Sequence, residues 1–228
     1  MENIRISVLA LGLAAGFATA ADFDAEFDAL IGRNNAVLID GVAYNAGHMQ
    51  HTYTGPIPSV AVGQFRNQTF YTFCIELQNT SRSPESWTIQ KLSEAPNPSS
   101  SNGGLPYGAG DAQEVHAVVA AAIRLGWINA DLSAASAGQT ELAAIQGMIW
   151  KVLFDGSTVV GNTNNTIAAM AALEAEAALD PFARVKGLAA MTNADAQDQL
   201  YVVPLPTAAL AGLAMLGGLA GARLRRRG

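Results

Sequence analysis

Two hydrophobic periods divide the chain. Alternating or β-branched and aromatic residues mark Ala36 to Ile39, Ser59 to Phe65, Thr69 to Leu77 and Ser86 to Leu92, with Gly, Pro and Asn between them, which predicts strands. From Glu94 to Gly110 the pattern lapses into Pro, Ser, Asn and Gly, the composition of an exposed loop. Beyond it the period becomes helical. Ala112 to Trp127, Thr140 to Phe154 and Thr163 to Leu179 are Ala-rich, with apolar residues three and four apart. Gln199 to Val203 reads as a closing strand. The expected fold class is α+β: a β-rich first half, a sandwich or barrel-like sheet, covered by about three helices.

The two ends read as addresses outside this domain. Met1 to Ala20 combines a weakly basic start at Arg5, an apolar stretch from Ile6 to Ala15 and the small residues Ala18-Thr19-Ala20. That is the layout of a signal peptide, cut between Ala20 and Ala21, and export across the inner membrane follows. At the other end, residues 203–228 begin with Val203-Pro204-Leu205-Pro206, continue with an uncharged run from Thr207 to Ala222, and close with Arg223, Arg225, Arg226 and Arg227. The run is shorter than the roughly 20 residues that span a bilayer comfortably. The arginines would stay on the cytoplasmic side. A processing signal therefore fits better than a permanent tail anchor.

This tail resembles the PEP-CTERM family of sorting signals, in particular its VPLPA variant, with Thr207 in place of the final Ala. The resemblance implies export by a Gram-negative bacterium, passing membrane attachment through the C-terminal helix, and recognition near Pro204 to Pro206 by an exosortase-type processing enzyme, after signal peptidase has acted. It also implies a destination in the cell envelope, at the surface or in an exopolysaccharide matrix.

Between these signals, residues 21–202 suffice for one domain. The whole chain carries a net charge of −6. Without Arg5, the four tail arginines and Glu2, 8 basic and 18 acidic residues remain, so the exported segment stands near −10. No basic cluster is present and nucleic acid is not an expected partner. Gly103-Gly104 lacks the Lys of a phosphate-binding loop. His48-x-x-His51 sits among Gly47, Thr52, Gly55 and Pro56, a loop-like setting without a third ligand, so no metal or other cofactor is expected. A Cys74/His116 protease dyad lacks supporting local sequence. Trp87, Trp127 and Trp150 could line a sugar groove, although the last two lie in apolar helical segments and read as core.

Two residues stand out. Cys74 is the sole cysteine of a chain bound for an oxidising compartment. In the strand Phe70-Tyr71-Thr72-Phe73-Cys74-Ile75-Glu76-Leu77, period two sets Thr72, Cys74 and Glu76 on the face opposite Tyr71, Phe73, Ile75 and Leu77. Gln146 falls inside the apolar stripe formed by Leu142, Ile145, Ile149, Trp150 and Leu153, where an amide needs a partner. A backbone hydrogen bond to a neighbouring strand is one solution. A second is condensation of the Cys74 thiol with the Gln146 amide, losing ammonia, to an internal thioester.

Thr-Phe-Cys74-Ile-Glu and Ala-Ile-Gln146-Gly-Met-Ile-Trp150 resemble the paired motifs of bacterial thioester domains, surface adhesion modules, across about residues 60–160. Ile145 and Met148 stand where those modules usually carry Thr and Ala. The resemblance implies a Gln146 carbonyl open to attack by an amine or hydroxyl of a surface polysaccharide or protein, with Cys74 as the leaving thiolate. It implies one covalent attachment without turnover, so no catalytic residue in the enzymatic sense. Glu76 and His116 are the candidate proton acceptors. The alternative is a non-reactive matrix or structural protein in which Cys74 is simply buried.

Overall fold

The computed structural model describes residues 22–55, 68–77, 85–97 and 105–203. The signal peptide, the predicted strand from Ser59 to Phe65, and the tail from Pro204 through Arg227 lie outside the described residues. Among those described, the chain is a mixed α/β protein with a seven-stranded antiparallel sheet and three helices.

Seven strands make the sheet: β1 (Asp22–Ile39), β2 (Val42–Tyr53), β3 (Thr69–Cys74), β4 (Glu85–Gln90), β5 (Val159–Gly161), β6 (Leu188–Thr192) and β7 (Gln199–Val202). Their order is β2-β3-β7-β6-β4-β1-β5, and β1 also pairs with β2. That extra ladder closes a circuit of six strands, with β5 added at the far end of β1.

The longest unit is the β1–β2 hairpin. Asp40 and Gly41 both take positive φ, 49° and 83°, between the paired residues Ile39 and Val42. This is the two-residue turn whose twist suits adjoining strands. Midway, Gly32 faces Gly47 so closely that a Cβ on Gly32 would lie 2.2 Å from the Ala46 carbonyl oxygen. Only glycine admits that approach. The segment around His48 and His51 is thus strand β2 and not the expected loop; its glycine serves the crossing.

Residues facing into the circuit form an aromatic core of Phe23, Tyr53, Phe70, Trp87 and Tyr201. Tyr53 stacks on Phe70 at 4.2 Å and Phe23 on Tyr201 at 5.5 Å, measured between ring centroids. The same interior holds polar groups that bond one another. His51 Nε2 meets Thr72 Oγ1 at 3.0 Å, Thr72 Oγ1 donates to Gln199 Oε1 at 3.1 Å, and the Tyr53 and Tyr201 hydroxyls pair.

The larger core lies between the sheet and the helices α1 (Gly108–Arg124), α2 (Gln139–Leu153) and α3 (Asn164–Leu179). Every residue of α2 from Leu142 to Trp150 is buried, as expected of a helix enclosed by its neighbours. Glu141 closes its first turn by accepting the Gly138 backbone N–H at 2.9 Å. Ion pairs Arg124–Glu176 and Lys151–Glu174 tie α3 to α1 and α2 at the surface. The burial of α2 brings Gln146 to the sheet.

Candidate functional site at the end of strand β3

Strand β3 loses one neighbour before it ends. Its ladder with β2 runs from Thr52↔Thr69 to Met49↔Thr72, whereas its ladder with β7 covers Phe73↔Leu200 and Cys74↔Gln199. Ile75 donates its N–H to the Asp198 carbonyl at 3.0 Å, on the β7 side. Backbone groups of successive strand residues alternate in direction, so those of Cys74 point to the side that β2 has left. Unpaired there, both would be costly.

Gln146 takes the missing strand's place. The Cys74 N–H donates to Gln146 Oε1 at 2.8 Å, and Gln146 Nε2 donates to the Cys74 carbonyl at 2.8 Å. The side-chain amide therefore pairs with the backbone as a peptide unit would. Both residues are 1% exposed.

The Cys74 thiol donates to the Glu76 carbonyl, which also accepts Gln197 Nε2 at 2.8 Å. Burial pushes the thiol well above its ordinary pKa, and the Glu76 and Asp198 carboxylates add to the rise, so the thiol is protonated at neutral pH. The Glu76 carbonyl and the Trp150 indole act the other way, favouring the thiolate. Tyr107, whose hydroxyl donates to the Ile75 carbonyl, completes a buried ionisable group with Cys74, Glu76 and Asp198. Asp198 rises to about 7, first through burial and then through Glu76, while the Asn193 N–H at 2.8 Å opposes the shift.

Cys74 and Gln146 line one cleft of ≈ 400 Å³, together with Tyr44 and Asn45 of β2, Trp150 of α2 and Gln197. Tyr44 meets Trp150 edge to face at 6.2 Å. The cleft offers a passage to an otherwise enclosed pair. No charged side chain is among its lining residues within the described part of the chain.

The structure brings Cys74, Gln146 and Glu76 together. It puts His116 elsewhere: in α1, its Nδ1 accepts the Val185 N–H at 3.0 Å, and burial with the nearby Arg184 lowers it to about 4. His48 and His51 point to opposite faces of β2, the first stacked on Tyr71 and the second on Phe70. No group of three or more His, Cys, Asp or Glu suited to a metal occurs among the described residues. Of the sorting motif only Val203 is described; its N–H donates to the Gly187 carbonyl at 2.9 Å. No described helix is long and apolar enough to cross a membrane.

Four members of the site were not assigned a role in it from the sequence. Trp150 read as core, although its position four residues after Gln146 sets both on one helical face. Asp198 and Gln197 sit in the polar run Gln197-Asp198-Gln199, and polar residues leading into an apolar closing strand were the available signal. Tyr107 carried no pattern at all. No protein-family model, curated protein or solved structure matches the chain.

Proposed function

We propose that the chain is an exported protein, sorted through its C-terminal signal to the cell surface or exopolysaccharide matrix, whose domain attaches covalently to a partner through a Cys74–Gln146 thioester. The observation that supports this reading is the Gln146 amide, held against Cys74 by two hydrogen bonds in the wall of a cleft.

The chemistry follows from that placement. Sγ leaves the Glu76 carbonyl and attacks Gln146 Cδ, forming the S–C bond. The C–N bond breaks, and the departing NH2 takes up the thiol proton to leave as ammonia. Charge developing on Oε1 meets the Cys74 N–H already bonded to it, an arrangement of the oxyanion-hole type. Because the thiol is held protonated, a proton carrier is required, and Glu76 or Asp198 is close enough to act on it electrostatically. A partner amine or hydroxyl then adds to Cδ; an amide or ester forms, the C–S bond breaks, and Cys74 recovers a proton. Each molecule reacts once.

A second reading has its own support. The same two hydrogen bonds give Gln146 a complete structural role, in a matrix protein with Cys74 buried and inert. The two readings separate on envelope material from a host that possesses an exosortase-type enzyme. Covalent attachment predicts that the full chain resists extraction by hot detergent while Cys74→Ala is released. Equal release of both would leave the structural reading.

A further inference from the structure

Trp150 is 2% exposed, and its indole Nε1 meets no acceptor in full hydrogen-bond geometry although it lies near enough to the Cys74 sulfur to favour the thiolate. A buried indole N–H usually finds an acceptor, so this one calls for a reason. Its surroundings supply one. Trp150 follows Gln146 by one helical turn on the buried α2, and both line the cleft that Cys74 enters from β3. Tyr44 packs edge-on against the indole ring and fixes its orientation.

We infer that Trp150 is the hydrogen-bond donor that receives the Cys74 sulfur as thiolate, both when the thiol attacks Gln146 Cδ and when the finished thioester is opened. The inference rests on the thioester reading. In the resting state the sulfur is a thiol, occupied as a donor to the Glu76 carbonyl, and offers the indole little. When the C–S bond breaks, the electron pair stays on sulfur, and a donor within reach lowers the energy of that charge in a site shielded from water. The indole also acts on Cys74 in the direction of the thiolate. Glu76 and Asp198 act in the opposite direction, and Tyr107 lies in the same group of buried acids. Trp150 thus brings to the cleft a buried donor that no fully formed ground-state hydrogen bond occupies.

The test compares wild type with Trp150→Phe, which keeps an aromatic ring against Tyr44 and removes the N–H. Methylamine opening of the thioester is followed by intact mass, and the freed Cys74 thiol is then titrated by its alkylation rate against pH. A hydrogen bond to a charged group predicts opening slowed by about tenfold or more in Trp150→Phe. It also predicts a thiol midpoint moved to higher pH, a shift that loss of packing alone would not produce. Thermal melting of both proteins reports folding. Equal opening rates and equal midpoints in two folded proteins overturn the role of Trp150 while leaving the thioester in place. A wild type that has lost no ammonia removes the thioester and this role with it.

Discussion

Gln146 holds Cys74 by its backbone: the two atoms of one side-chain amide satisfy the N–H and the C=O of one strand residue, each at 2.8 Å. Strand β3 keeps a partner there although β2 has diverged, and the backbone of the lone cysteine is fixed against the Gln146 amide.

The two members of this pair differ in what their loss costs. Gln146→Ala leaves two buried backbone groups without partners and opens a cavity, a penalty of about 2–5 kcal/mol. Cys74→Ala keeps the backbone pairing and gives up one sulfur, at about 1–2 kcal/mol. Urea unfolding of the two variants is expected to rank them in that order; the reverse order would mean that the amide does not support the strand.

The Gly32–Gly47 crossing predicts intolerance to a single methyl group. A Cβ on Gly47 would lie 2.3 Å from the Gly32 Cα, so Gly47→Ala forces apart the two longest strands and is expected to cost more than about 3 kcal/mol. Gly110 in the first turn of α1 has no atom within 4 Å of such a Cβ. Gly110→Ala is expected to stabilise by about 0.5–1 kcal/mol. Melting temperatures of the pair check both signs.

His51 makes stability fall in acid. Burial lowers it from 6.5 to about 4, with Asp28 opposing, so between those values the unfolded chain binds a proton that the folded chain does not. The contribution of the neutral ring is complete above pH 6.5 and declines as pH drops toward 4. His51→Gln can keep a bond to Thr72 and removes this dependence, on the order of 3 kcal/mol across that interval. His116 has the same sign, so a smaller slope persists. An unchanged slope in denaturant titrations at pH 4 and 7 would show that His51 is charged inside the fold.

Asp198 works in the opposite sense. Its folded value of about 7 lies above the ordinary 3.8, so the stability it contributes is full below pH 3.8 and is lost as pH rises through 7. Asp198→Asn preserves an oxygen for the Asn193 N–H and is expected to become progressively more stable than wild type between pH 4 and 8. A constant difference over that range would place the charge in a solvated setting.

What could be read in the chain depended on how far each local pattern reached. The three helices stand where Ala-rich periods of three and four lie, because each helix is long enough for its buried stripe to repeat. Gln146 was legible for the same reason, as one polar residue breaking an apolar stripe, and Cys74 by being the only thiol. Strand β2 was hidden by Gly47, Thr52, Gly55 and Pro56, which suggested a loop around the two histidines, yet Gly47 is there for contact with Gly32 and the histidines pack on aromatic rings. In β1, Asp24, Glu26 and Asp28 alternate with Phe23, Ala25 and Phe27, a period of two that the acidic run after the predicted cleavage site obscured. Strands β5 and β6 are short and apolar, and their pairing depends on partners far along the chain. The cluster around Cys74 arises in the same way, since Tyr107, Trp150 and Asp198 approach it from three separate segments.

The thioester is tested most directly by the intact mass of residues 21–203, beside Cys74→Ala, before and after methylamine. A wild-type mass short by one ammonia, absent from the variant and replaced by a methylamine adduct after treatment, is the predicted result. A full mass, with Cys74 alkylated stoichiometrically once the chain is unfolded, would contradict it and leave the Gln146–Cys74 pairing as a structural device alone.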